Sequence, residues 1–179
     1  MIRTRFVSSN IIFKRSFLNL PFANTNSSLQ QFTVSKIVHA KACNIYQVVS
    51  GIDKYHEFIP FVKSSTITKF DNENIPIEGS LQVGWQQFDE QFDCKLICQP
   101  NKSVVAESLS HSLFDDLYTD WKFMPLSDDI TKVVLKLKFQ FKNPLYNHLS
   151  SVFSKQVTTI MIKAFEDRIN ELYNSTRIR

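Results

Sequence analysis

The alternation of side chains in residues 132–141, KVVLKLKFQF, constrains the fold of this chain more than any other feature. The odd positions are all apolar, whereas the even positions are lysine or glutamine except at Val134. A period of two with one apolar face is typical of an antiparallel strand that covers a core on one side and meets water on the other. After Asn143 and Pro144 the apolar residues recur at intervals of three and four, which predicts an amphipathic helix over residues 145–173.

Earlier patterns predict six further strands and two short helices. The predicted strands are 31–39, 64–70, 77–86, 92–98, 103–108 and 117–124, and the predicted helices are 42–51 and 53–58, the second capped by Asp53. An antiparallel sheet with one apolar face must cover that face, and the last helix, ~28 residues and roughly 40 Å long, is large enough to do so. We therefore predict an α+β fold in which a curved antiparallel sheet wraps around a long C-terminal helix.

Aromatic residues are abundant in the chain. It contains 16 Phe, 5 Tyr and 2 Trp among 179 residues, and its apolar content of 43% is enough for the core of one domain. So many flat apolar side chains can line a cavity as well as fill a core. Only 3 glycines are present, which argues against a phosphate-binding glycine loop.

The net positive charge of the chain comes entirely from its N-terminal segment. Residues 1–27 carry four basic residues and no acid, while the remaining 17 basic and 17 acidic residues balance. A basic, acid-free segment rich in Ser, Asn and apolar residues is typical of a mitochondrial transit peptide, so we predict one at 1–27 and a single domain at 28–179. The neutral domain lacks the basic patch that nucleic-acid binding needs.

Residues that could carry catalysis do not form a recognisable motif. The four histidines, His39, His56, His111 and His148, are scattered without metal-ligand spacing. Cys94 and Cys98 are four residues apart on one strand, about 13 Å, which is too far for a disulfide or a shared metal. We therefore expect a protein that is not an enzyme and that carries no metal or cofactor.

Three segments resemble a known family. Residues 55–61 (YHEFIPF) are similar to its Y-x-x-F-x-P-W/F segment, and residues 83–92 (VGWQQFDEQF) to its paired strands, with Glu90 at the acidic position. Residues 139–146 (FQFKNPLY) resemble its F-x-F-x-N/S-P-L-Y junction into the final helix. With the element order, these segments resemble the helix-grip, or START-like, coenzyme Q-binding proteins, close to the polyketide cyclase/dehydrase group.

That resemblance implies a function, a ligand and a location. It implies a non-enzymatic chaperone or carrier that binds ubiquinone and its polyprenylated intermediates and supports respiration and quinone biosynthesis. It implies a peripheral protein on the matrix side of the inner mitochondrial membrane, with quinone-biosynthetic or respiratory complexes as further partners. The alternatives left open are a cyclase or aromatase on the same fold and a general phospholipid or sterol carrier.

Inward-facing apolar positions and the segment 55–62 (YHEFIPFV) supply the candidate site. The expected ligand-binding residues are Tyr55, Phe58, Pro60, Phe61, Trp85, Phe88, Phe92, Leu96, Trp121, Phe139, Phe141, Phe153 and Ile160. The expected membrane contacts are Phe58, Ile59, Phe61 and Val62, at the mouth of the cavity, where Pro60 would fix the bend.

Overall fold

The computed structural model describes residues 29–85, 88–110 and 114–173, except the side chains of Trp85, Phe88 and residues 144–158. The predicted transit peptide and its boundary at residue 28 lie outside the described residues. The elements in chain order are β1 (Gln30–Val38), α1 (Ala42–Ser50), a 3₁₀ helix (Ile52–Lys54), α2 (Tyr55–Phe58), β2 (Val62–Phe70), β3 (Pro76–Trp85), β4 (Phe88–Gln99), β5 (Ser103–Ser108), β6 (Phe114–Ser127), β7 (Ile130–Phe141) and α3 (Pro144–Tyr173).

The seven strands form one antiparallel sheet in the order β1-β7-β6-β5-β4-β3-β2. The first and last strands pair, with Gln30 opposite Phe139 and Val38 opposite Thr131. β1 and β2 are the two edges. Shifts of register interrupt the pairing of β2 with β3 and of β6 with β7, and such bulges bend a sheet. The predicted α+β fold and element order are confirmed.

The predicted helix at 53–58 is two elements in the structure. A 3₁₀ turn precedes a single α-helical turn, and no side chain caps either of them. Asp53 lies inside the 3₁₀ turn, where its carboxylate is 3.3 Å from Lys54 Nζ. The prediction that Asp53 caps a helix is therefore wrong, because the chain begins to coil one residue before it. By contrast, α1 ends as predicted, with the Gly51 N–H donating to Gln47 O.

The described part of α3 buries a stripe with a period of four. Phe165 and Ile169 are 3% and 2% exposed, and Met161 is half-buried one turn earlier. Ile160, which the sequence pattern assigned to the inward face, is 37% exposed, and Leu172 is 47% exposed. The buried stripe is thus narrower than predicted, and α3 contacts α1, α2 and β7.

The core has two clusters at the two ends of the sheet. The first contains Ile45, Val48, Val49, Ile59, Trp121, Phe123, Val133, Leu135, Phe165 and Ile169, among others. The second contains Ile52, Leu81, Phe92, Cys94 and Leu96, with Phe114, Leu117 and Phe141 packed against it. The first joins α1, α3 and the sheet, whereas the second lies among the sheet strands and the 3₁₀ turn.

Candidate functional site

Five phenylalanines from four strands form a continuous surface, which we name the phenylalanine layer. Its members are Phe32, Phe92, Phe114, Phe139 and Phe141. The ring centroids of Phe114 lie 5.1 Å from Phe141 and 5.4 Å from Phe92. Phe139 is 5.3 Å from Phe141 and stacks on Phe32 at 6.2 Å. Offset and edge-to-face rings at these separations attract one another beyond their buried area.

Phe114 joins this layer through a β-bulge. Phe114 is opposite Phe141 and Asp116 is opposite Gln140, so Asp115 is an extra residue in β6. The bulge brings Phe114 to the same side of the sheet as Leu117, although simple alternation would separate them. Phe114 reaches Phe92 because β5 ends at Ser108, opposite Cys94, and does not extend between them.

The layer is only partly covered. Phe92 and Phe139 are 8% and 7% exposed, whereas Phe32, Phe114 and Phe141 are half-buried. Phe92, Phe139 and Phe141 were predicted from the sequence as ligand-binding residues, whereas Phe32 and Phe114 were not. Alternation along β1 could have identified Phe32, but the bulge hides Phe114 from any fixed period.

A groove separates β1 from the second half of α3, and we call it the β1–α3 groove. Its volume is about 830 Å³, and its walls are residues 32–36 of β1 and Thr159, Ile162, Lys163 and Glu166 of α3. This volume falls in the range of small-molecule pockets. Lys36 Nζ forms an ion pair with Glu166 between its two walls.

The corner formed by residues 55–62 is fixed by backbone hydrogen bonds. Ile59 N–H donates to Tyr55 O at 2.8 Å, Val62 N–H to Ile59 O at 3.0 Å, and Gly84 N–H to Phe61 O at 2.9 Å. Ile59 is 3% exposed and belongs to the first core cluster. The expected membrane contact at Ile59 does not fit this burial, whereas Phe58, Phe61 and Val62 are half-buried and Pro60 is exposed.

The aromatic rings of the corner pack beneath α3. Phe165 lies 5.2 Å from Tyr55 and 5.2 Å from Phe58, with edge-to-face geometry in both pairs. The guanidinium of Arg168 lies 5.8 Å from the centroid of Phe58 and pairs with Glu57. The corner is therefore attached to α3 by both apolar and charged contacts.

A second groove lies beside Pro60, and we call it the Pro60 groove. Its volume is about 430 Å³, and its apolar lining is Phe58, Pro60, Ile160 and Ala164. Ile160 was predicted on the inward face, but it is 37% exposed and lines this open groove. Lys163 lines both grooves, so they lie on either side of the same stretch of α3.

Some expected site residues are tightly packed, and others lie outside the description. Leu96 is 2% exposed, and Trp121 is 7% exposed with its ring 4.8 Å from Phe165. Trp85 and Phe88 are paired at the adjoining ends of β3 and β4, but their side chains are not described. The side chain of Phe153 also lies outside the described part of α3.

The cysteines on the inward side of β4 are protonated thiols. Burial raises the pKa of Cys94 to about 12 and the pKa of Cys98 to about 11. Both are free, as is Cys43. Burial likewise raises the pKa of the Tyr55 phenol far above its usual range, and its hydroxyl donates to Val49 O at 2.6 Å. Thiols this weakly acidic are poor nucleophiles at neutral pH.

The described histidines do not form a catalytic or metal-binding arrangement. His39 and His56 are both exposed, and His56 Nδ1 lies 2.9 Å from the hydroxyl of the buried Ser65. The same hydroxyl accepts the His56 backbone N–H, so this contact ties α2 to β2. His111 and the His148 side chain lie outside the description. Within the described ranges no cluster of His, Cys, Asp and Glu could hold a metal ion.

Fold and site together define a helix-grip protein with a partly open aromatic interior. In the described part of the chain, no helix is long and apolar enough to span a membrane. The fold is shared with a START superfamily protein from Mycobacterium smegmatis, with a TM-score of 0.71 and 21% identity. That similarity covers 79% of this chain and 98% of the other.

Residues 38–166 match the family described as polyketide cyclase/dehydrase and lipid transport. The chain is 36% identical to the mitochondrial coenzyme Q-binding protein COQ10 of Eremothecium gossypii, over 95% of this chain and 86% of that relative. It is 35% identical to the protein of the same name from Saccharomyces cerevisiae, over 89% of this chain and 80% of that relative. The chain therefore belongs to this family, in the branch of the mitochondrial coenzyme Q-binding proteins.

Proposed function

We propose that this protein binds ubiquinone and its polyprenylated intermediates and carries them without catalysing a reaction. The observation that carries the proposal is the phenylalanine layer, whose members Phe32, Phe114 and Phe141 are half-buried on the inward side of the sheet. A ring-rich surface of this kind can pack against both a quinone ring and a prenyl chain. The names of the two fungal relatives support the choice of coenzyme Q as ligand.

A carrier has a clear physical purpose for such a ligand. Exposing a tail of about 30 carbons to water costs roughly 24 kcal/mol at ~0.8 kcal/mol per CH₂. As a barrier, this corresponds to escape on the order of 10⁻⁵ per second, so unassisted transfer through water is negligible. A protein that takes the tail directly from a membrane into an apolar interior lowers that barrier.

The proposed place of action is the matrix side of the inner mitochondrial membrane. Two observations support it: the relatives are named mitochondrial, and residues 1–27 have the composition of a transit peptide. The proposed membrane contact is the corner, through Phe58, Pro60 and Phe61, with the exposed Ile160 beside it. Quinone-biosynthetic or respiratory complexes would then exchange quinone with the carrier.

Extraction of the purified protein tests the ligand. We expect a polyprenyl quinone in the mass spectrum of the extract, and a lower quinone-to-protein ratio in Phe114→Ala, which removes the central ring of the layer. Phe70→Ala is the matched control, because Phe70 is 46% exposed and is not a member of the layer. A phospholipid or sterol in place of quinone would contradict the ligand proposed here.

The same preparation tests the absence of catalysis. Supplied with a quinone precursor, the protein should bind it and return it unchanged, because the described histidines are exposed and the thiols of β4 are protonated. Formation of a cyclised or otherwise altered product would instead support a cyclase or aromatase on this fold.

A further inference from the structure

We propose that the β1–α3 groove is the entrance through which a polyprenyl chain reaches the phenylalanine layer, and that the ion pair between Lys36 and Glu166 is its latch. This inference rests on the proposed function and adds the route and the residues that control it. The Pro60 groove is then a contact surface and not the route.

The alternation of side chains along β1 determines which of its residues face the groove. Phe32, Val34 and Lys36 share the inward side of the strand with the buried Val38. Opposite them, Ile162 of α3 is half-buried and packs against the first core cluster. The groove therefore has apolar side chains on both walls, while its charged groups include Lys36, Lys163 and Glu166.

The groove is continuous with the interior through Phe32. Phe32 lines the groove and also stacks on Phe139, a buried member of the layer. An apolar chain lying along Val34 and Ile162 would therefore meet the first ring of the layer without crossing a polar surface. This continuity favours a lipid chain as occupant over a peptide, although β1 is an edge strand to which a peptide strand could add.

The ion pair between Lys36 and Glu166 spans the groove and is exposed enough to break. Lys36 and Glu166 are 45% and 30% exposed, and they connect two elements, β1 and α3, across the cleft. An exposed pair of this kind is weak enough to break often. If the side chains at positions 36 and 166 repelled each other, the two walls of the groove would be held apart. Both uptake and release of the polyprenyl chain would then be faster.

The test measures uptake rates from liposomes of phosphatidylcholine that contain a ubiquinone with a short prenyl tail. Stopped-flow quenching of tryptophan fluorescence by the quinone reports the rate. Lys36→Glu should raise the rate constants for uptake and release by about two- to fivefold, leaving the bound fraction at equilibrium nearly unchanged. The exchanged pair Lys36→Glu/Glu166→Lys should restore the rates of the unmodified protein.

A matched control is the pair of Lys69 and Glu78, which also joins two elements at the surface, with Nζ and Oε1 3.3 Å apart. Lys69→Glu should leave both rates unchanged. Equal acceleration by Lys69→Glu and Lys36→Glu would overturn the latch, since the effect would then follow from net charge.

A bulky substitution in the β1–α3 groove tests the route. Val34→Phe, which narrows the groove, should slow uptake at least fivefold, whereas Ile37→Phe, at an exposed position of the same strand outside the groove, should not. The reverse result, or unchanged rates in both folded variants, would overturn the entrance proposed here and leave the β1 edge as a site for a peptide strand. If the unmodified protein takes up no quinone at all, the proposed function itself fails.

Discussion

Two tyrosine hydroxyls form hydrogen bonds of similar length in different surroundings. The hydroxyl of Tyr55 donates to Val49 O at 2.6 Å inside the protein, where burial raises its pKa. The hydroxyl of Tyr173 donates to Gln47 Oε1 at 2.7 Å at the surface. A buried carbonyl that loses its partner keeps the cost of desolvation, whereas an exposed amide regains water.

We therefore expect Tyr55→Phe to lower the free energy of unfolding by about 1–2 kcal/mol, because the carbonyl of Val49 loses its donor. Tyr173→Phe, the matched deletion at the surface, should change it by less than about 0.5 kcal/mol. Urea unfolding monitored by circular dichroism measures both. Equal losses in the two variants would show that the Tyr55 hydroxyl is not the buried group described here.

For single residues, the sequence predicted several members of the candidate site correctly but predicted their burial poorly. Phe92, Phe139 and Phe141 could be assigned to the inward face because their strands alternate without interruption. Phe114 could not, because the bulge at Asp115 changes which side of β6 it occupies. Ile59 precedes a proline in a segment predicted to lie at the surface, but it is buried in the first core cluster, whose other members come from α1, α3 and the sheet.

At the scale of elements, periodicity predicted nearly all of the fold. The strand at 103–108 agrees with β5, and α3 begins one residue before its predicted start. Strands and long helices repeat one pattern over many residues, so a single irregular position does not obscure them. The segment 53–58 is shorter than two helical turns, too short for a period, and its division into a 3₁₀ and an α-helical turn could not be predicted.

The corner formed by residues 55–62 is the proposed membrane contact. Phe58→Ala/Phe61→Ala should reduce binding to liposomes of inner-membrane lipid composition by about tenfold, because two half-exposed rings no longer enter the bilayer interface. Flotation on a sucrose gradient measures the bound fraction. Phe61→Ala alone, which leaves the contact between Phe58 and Phe165, should show a smaller loss in a fully folded protein.

Phe70→Ala/Leu126→Ala is the matched control for the corner. These residues are 46% and 58% exposed and lie at the ends of β2 and β6, outside the corner. Their removal deletes comparable apolar surface and should leave liposome binding unchanged. If the control variant and the corner variant lose binding equally, membrane contact is not localised at residues 58–61.

For the whole molecule, the position of α3 decides which aromatic residues are core and which line a groove. Its Phe165 covers Tyr55, Phe58 and Trp121, so part of the expected site is filled by the protein itself. The far end of the sheet keeps Phe114 and Phe141 half-buried. The sequence shows that α3 has an apolar stripe. The rotation of α3 about its own axis over the sheet results from all of these contacts together, so the two grooves could not be predicted.

The thiols of Cys94 and Cys98, on the inward side of β4, make the free energy of unfolding depend on pH. In the folded protein burial raises the pKa of Cys94 to about 12 and of Cys98 to about 11, whereas unfolded thiols ionise near pH 8.5. Below about pH 8 both states keep these protons, and the stabilisation is fully present. As the pH rises toward 11, the unfolded chain loses protons that the folded protein retains, so the free energy of unfolding must fall.

Urea unfolding at pH 7, 8, 9 and 10 measures this fall, and Cys94→Ala isolates the contribution of one thiol. Between pH 8 and pH 10 the variant should lose less stability than the unmodified protein, by at most about 2 kcal/mol. Its stability at pH 7 serves as the internal control, because there the difference between the two proteins reflects packing alone. Parallel curves from pH 7 to pH 10 would mean that Cys94 ionises as readily in the folded protein as in the unfolded chain, and that the interior of β4 is open to water.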